Sequence, residues 1–226
     1  MKHTLLFVAG ALLLAAITPI SVQAQRRDGS LLGLLTNKGV VKEVGLLDEQ
    51  IDSLKELGTE LRKKNPQPKG NFRQLRGKER DAFMVKFTKW RADIAKAAQP
   101  RVAKILFPPQ LKRLHEIQVQ SLGTAAVLNA RVAKQIKLSK EQSKKLVSIQ
   151  TASSAKVRKI FADARGAGGD FAKARKLFTA AQADQVKQIT AVVTKDQAKA
   201  LAKLKGKPFK FPARTRGKKR RKKKAA

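Results

Sequence analysis

One phrase occurs four times in this chain and constrains what it can fold into. An apolar residue is followed four positions later by glutamine, then by leucine four further on, then by leucine or isoleucine after three more. The copies are Leu46…Gln50…Leu54…Leu57, Leu106…Gln110…Leu114…Ile117, Leu138…Gln142…Leu146…Ile149 and Val193…Gln197…Leu201…Leu204. Offsets of four and seven fall on one face of an α-helix, so each phrase opens an amphipathic helix. Ser139 and Thr194 stand three residues before their glutamines, the spacing of a capping box. There the hydroxyl accepts from the glutamine backbone N–H, and the glutamine side chain returns to the cap. Glu49, Glu141 and Asp196 fall in first turns, where the helix dipole favours negative charge. The first two copies have Leu47 and Phe107 at the cap position. They rely instead on Ile51 and Leu111 stapling against Leu46 and Leu106, with Pro108 at a first helical position. Helix-start chemistry therefore accounts for Gln50, Gln110, Gln142 and Gln197 as structural residues.

The copies fall into pairs. Gln50 and Gln142 are 92 residues apart, and Asn37, Val40, Lys42, Leu46 and Glu49 recur at the same offset as Asn129, Val132, Lys134, Leu138 and Glu141. Gln110 and Gln197 are 87 apart, while Phe83 and Trp90 recur 88 later as Phe171 and Phe178. This reads as an internal duplication of about 90 residues, far longer than most solenoid units. Each half should hold a long helix, a turn, a second long helix and a short closing helix. The expected fold is all-α: two helical-hairpin halves, 37–122 and 123–206, after a linker at 25–36. Phe83, Phe87, Trp90, Ile94, Ala98, Val102 and Ile105 form one stripe, and Leu146, Ile149, Ser153, Val157, Ile160 and Ala164 form another. Pro100 should kink or break the first. The segments 65–71 and 166–170, rich in Gly, Pro and Asn, should be turns.

Residues 1–24 read as an address. Lys2 precedes an apolar run from Leu5 to Ile17, and Val22 and Ala24 occupy the −3 and −1 positions of a cleavage site. These are the parts of a secretory signal peptide, and the run is shorter than the ~20 apolar residues a membrane span needs. Export to the periplasm or cell envelope follows, with no membrane span left after cleavage.

Charge bounds the partners. The chain has 51 Lys+Arg against 16 Asp+Glu, a net +35. Twelve of those bases lie from Lys205 onward with no acid among them; without these and Lys2, residues 25–204 still carry +22. Such a field favours polyanions. Residues 207–226, with Lys218, Lys219, Arg220, Arg221, Lys222, Lys223 and Lys224 near the end, should form a disordered, self-repelling tail, either a solvated one that aids solubility or a tether to nucleic acid or an acidic envelope polymer that does not read sequence. Aromatic residues are not interleaved through it, so base stacking is not expected.

Enzymatic residue sets are missing. With no Cys there is no thiolate or disulfide framework. Beyond the leader the only histidine is His115, which by itself cannot build a zinc site. Asp48, Glu49, Asp52 and Glu56 share the first turns of one helix, where dipole and solvent explain them. The glycines at 166–169 match neither phosphate-loop pattern. No catalytic, cofactor-binding or metal-binding residue is assigned, and no cofactor is expected.

The phrases Leu138-Ser139-Lys140-Glu141-Gln142 and Val193-Thr194-Lys195-Asp196-Gln197 are close variants of Leu-Thr-x-x-Gln, and Leu46–Gln50 and Leu106–Gln110 keep its two ends. In this the chain resembles the Spy/CpxP-like family of periplasmic proteins, over about residues 37–206. The resemblance implies a helical, cradle-shaped body with a basic concave face. It also implies a role as an ATP-independent chaperone of unfolded or envelope proteins, or as a partner of stress sensors. Family members are often homodimers; a doubled chain would make the cradle alone or pair with a second copy, and the sequence leaves both open. Relatives that bind metal do so through His-rich segments, which this chain lacks.

Overall fold

All four phrases open helices. The structure, a computed structural model, describes residues 29–71, 74–166 and 169–212. The expected signal peptide at 1–24 and the basic residues Lys218–Lys224 lie outside the described residues. The first half comprises α1 (Leu31–Leu34), α2 (Lys38–Val44), α3 (Asp48–Lys64), α4 (Gly77–Ile105) and α5 (Pro108–Leu122). A 3-10 segment (Gly123–Leu128) leads into the second half: α6 (Ala130–Gln135), α7 (Lys140–Gly166), α8 (Phe171–Val192) and α9 (Lys195–Lys205). The fold is all-α, with no strand among the described residues.

The recurring asparagines are helix caps. Asn37 accepts from Gly39 N at the start of α2, and Asn129 accepts from Arg131 N and Val132 N at the start of α6. The valines that follow, Val40 and Val132, are fully buried. These short helices thus pack into the core of their own half, α2 through Val40 and Val44 and α6 through Val132.

Two cores result. The first gathers Leu54, Leu57 and Leu61 of α3, Val102 of α4, and Leu114 and Ile117 of α5. The second gathers Val132, Leu146 of α7 and Ile189 of α8, with Leu201 and Leu204 of α9 against it. Val119 of α5 belongs to this second core. Two residues beyond Ile117 is a rotation of about 200°, so α5 buries opposite faces in the two cores and joins the halves.

The structure departs from the sequence reading in three places. Of the expected linker at 25–36, the described residues 29–36 are packed: Ser30 caps α1, and Leu31, Leu34 and Leu35 are buried in the first core. Pro100 does not break its helix; α4 runs unbroken from Gly77 to Ile105. The Pro100 ring is exposed while Ala98 and Val102 anchor the opposite face, so the lost backbone bond falls on the solvent side. Nor does disorder begin at 207. Residues 207–212 form a strap from the end of α9 back over the first half. Phe209 and Phe211 pack on the first core and meet edge to face, with ring centroids 4.8 Å apart. Gln120 holds the strap by donating to the Lys205 and Lys207 carbonyls and accepting from Phe209 N. Gly206 turns the chain into it with φ of 57°, where a Cβ would also run into the Glu116 carboxylate.

Truncating a fully buried Phe costs ~3–5 kcal/mol. Because these rings are half-buried, Phe209→Ala and Phe211→Ala should each lower unfolding free energy by about 1–2 kcal/mol in urea titrations. Unchanged midpoints in both variants would show that the strap adds nothing to stability.

Candidate functional site

The four glutamines do what the capping argument requires, and then pair. In each copy the side-chain Oε1 accepts from the N-cap backbone N–H: Leu47, Phe107, Ser139 and Thr194. The Ser139 and Thr194 hydroxyls accept from Gln142 N and Gln197 N as expected. The pairing was not legible in the sequence. Gln50 Nε2 donates to Gln110 Oε1 at 2.9 Å, and Gln110 Nε2 returns to Gln50 Oε1 at 3.0 Å. Gln142 and Gln197 make the same ring, with both bonds at 2.9 Å. The second proton of each amide goes to a backbone carbonyl, always five residues before the partner glutamine: Ile105, Gly45, Val192 and Lys137.

Every amide thus makes all four of the bonds its two donors and two lone pairs allow. Asparagine would be one methylene too short, and glutamate would present acceptors where the carbonyls need donors. The geometry also explains a strained residue. Gly45 and Lys137 both adopt left-handed backbone, φ 67° and 54°, in the turns that supply those carbonyls. A non-glycine residue pays for this conformation, and Lys137 is held in it by the clasp.

His115 lies on α5, half-buried, and Arg131 of α6 is the charge that bears on it. Burial first, then the Arg131 guanidinium, push its pKa down to about 4. It is a neutral packing residue. The acids Asp48, Glu49, Asp52 and Glu56 are all exposed on the first turns of α3, and Asp52 pairs with Lys55.

Away from the clasps, α4 faces the α7–α8 hairpin across an open groove of about 720 Å³. The α4 wall presents Met84 and Val85, which are 40% and 62% exposed. Val157 and Phe178 supply apolar surface opposite, and Lys89 and Arg158 are the charged lining residues, both basic. On the hairpin side Gln185 donates to Gln150, which donates to Ser154. Gln182 also lines the groove; it is 8% exposed and its Nε2 has no acceptor among the described residues. The hairpin itself closes on small side chains, Ala164, Ala174 and Ala181. Sequence reasoning placed Val157 on a helix stripe and matched Phe178 to Trp90 across the repeat, but did not separate core from groove. Only the exposure of Met84 and Val85 does so.

Set against models of protein families, curated proteins and solved structures, the chain matches none. The described residues include no helix long and apolar enough to cross a membrane.

Two outcomes follow from this chemistry. Gln50→Ala and Gln110→Ala should each cost roughly 1–2 kcal/mol, because each leaves partly buried partners unsatisfied. The double variant should cost less than the sum; additivity in a urea double-mutant cycle would mean the ring carries no coupling. His115 protonates near pH 6.5 in an unfolded chain but only near 4 when folded. Its contribution is whole above pH 6.5 and declines as pH falls toward 4, since there the unfolded chain binds the extra proton. His115→Gln should flatten the loss of stability between pH 7 and pH 4.5. Identical slopes for the two proteins would remove His115 from the account.

Proposed function

We propose that the chain is an exported, non-enzymatic helical protein that acts in the cell envelope as an ATP-independent chaperone or stress-interaction protein, holding unfolded segments of other envelope proteins. The observation that carries this reading is the groove between α4 and the α7–α8 hairpin. Met84 and Val85 offer apolar contact on one wall, and Val157 and Phe178 offer it on the other. An extended, unfolded segment brings apolar side chains to match both walls. The four glutamine phrases and their likeness to the Spy/CpxP-like family support the same reading, as does the signal-peptide pattern at 1–24. We also read the two halves as copies of one unit, because both clasps use the same atoms at the same offsets.

A second reading rests on charge. A net +35 and the Lys218–Lys224 cluster suit a polyanion such as nucleic acid or an acidic surface polymer.

The deciding experiment measures light scattering from an acid-poor aggregating client at about 0.15 M salt, where exposed charges are screened beyond ~8 Å. The full chain should suppress aggregation at near-equimolar amounts. Met84→Asp with Val85→Asp should abolish suppression while leaving helicity intact, since exposed positions tolerate substitution within about 0.5 kcal/mol. Equal suppression by that variant would remove the groove from the mechanism. No suppression by the full chain, together with duplex DNA binding that weakens steeply with salt, would establish the polyanion reading instead.

A further inference from the structure

A second cleft lies in the first half, on surface the client groove does not use. It runs between α3 and the α1–α2 segment and encloses about 940 Å³. Leu32, Leu35, Val41, Leu46, Ile51 and Leu54 supply its apolar surface. Lys38 and Lys42 stand one helical turn apart on α2; Lys55 and Arg62 stand two turns apart on α3. No acid lines it. Lys38, Lys42 and Arg62 have no acidic partner among the described residues, while Lys55 pairs with Asp52 at the exposed rim. At its Gly58 end the cleft continues into a second space of about 510 Å³, lined by Phe87, Trp90 and Ile94.

We propose that this cleft docks an acidic amphipathic helix of a partner protein. Its α3 wall extends from Ile51 to Arg62, about 16 Å, the length of three helical turns. An apolar stripe three turns long would cover the leucines, and carboxylates flanking the stripe would reach cations on both walls. The spread of charge decides against a fatty acid or other single-headed amphiphile. One carboxylate satisfies cations at one end, whereas here they lie on both walls and along the α3 side. Gly58 keeps the cleft open. A Cβ built there meets only Leu32 Cδ2, at 3.9 Å, so a larger side chain would project into the space without striking the walls first. Glycine inside an α-helix costs ~1 kcal/mol against alanine, which fits a position where room matters more than helix propensity.

Trp90 is the only tryptophan in the chain and lines the adjoining space, so it reports occupancy directly. The probe is a synthetic, tryptophan-free helix of 18 residues with a leucine stripe flanked by glutamates, titrated into the full chain at about 0.15 M salt. A saturable change in Trp90 emission is expected. Gly58→Phe should weaken binding roughly tenfold or more while raising or preserving the melting temperature. The triple variant Lys38→Glu, Lys42→Glu, Arg62→Glu should weaken it comparably and gain affinity for the same helix carrying lysines for glutamates. Met84→Asp with Val85→Asp should leave it unchanged, so failure of this proposal is separable from failure of the client groove. Equal binding of a scrambled peptide of the same composition would overturn it, as would unchanged binding in Gly58→Phe. Saturable binding of oleate that displaces the peptide and survives the triple charge reversal would assign the cleft to an acyl chain instead.

Discussion

Each half of this protein is drawn together at its base by a closed ring of two glutamine amides, and the path of the chain follows from what that ring demands. Gln50 is buried and its three counterparts are partly so, and an amide withdrawn from water must make its bonds inside the protein or lose the hydration it gave up. Here that means two helix N-termini side by side, each offering a cap N–H. It also means two chain reversals, each offering a carbonyl. The left-handed turns at Gly45 and Lys137 belong to the same requirement. In a chain of net charge +35 a neutral clasp has a further merit. A carboxylate in its place would be drawn to any of dozens of cations and would carry the desolvation cost of a buried charge; an amide pair is indifferent to salt and to pH.

The clasps order each half separately, and α5 joins them. It sends Leu114 and Ile117 into the first core and Val119 into the second, which leaves it little surface free. Arg113 on the same helix links Glu43 of α2 and Glu116, and donates to the Lys207 carbonyl. Gln120 carries the strap that returns Phe209 and Phe211 to the first core. One helix thereby gathers the first-half helices, the second half and the strap at 207–212.

Farther from these bases the packing thins. The α7–α8 hairpin buries alanines beside the ring pair of Phe161 and Phe178, and the rings of Phe83, Phe87 and Trp90 remain half-buried. Several of the scarce acids are taken by local ion pairs, Glu60 with Arg101 and Lys64, Asp163 with Lys159, and Asp184 with Lys156. Cations consequently outnumber acids around the apolar surfaces left open. Both the α4 groove and the α2–α3 cleft have apolar linings, basic charges and no acid. That combination suits partners that are apolar and neutral or acidic.

Much of the helical plan was legible in the residues. Period and capping chemistry placed the helix starts around Gln50, Gln110, Gln142 and Gln197, and the 92-residue spacing marked Asn37 and Asn129 as equivalent positions without showing that both cap helices. These features depend on contacts within a turn or two, which a linear pattern records. Other features depend on distance in space. That Gln50 meets Gln110 rather than solvent, that Phe209 returns to the first core, and that Met84 faces a groove while Val102 faces a core are set by how helices lie against one another. Pro100 shows the same division: the local rule foresaw a kink or break, and a buried face on the opposite side of α4 kept the helix whole. The sequence by itself determined where the four glutamine-led helices start and how their caps are made, because hydrogen bonds within a helix turn are local. Only the tertiary structure decided which amides pair and which apolar faces stay open, because those outcomes depend on residues 50 to 90 positions apart.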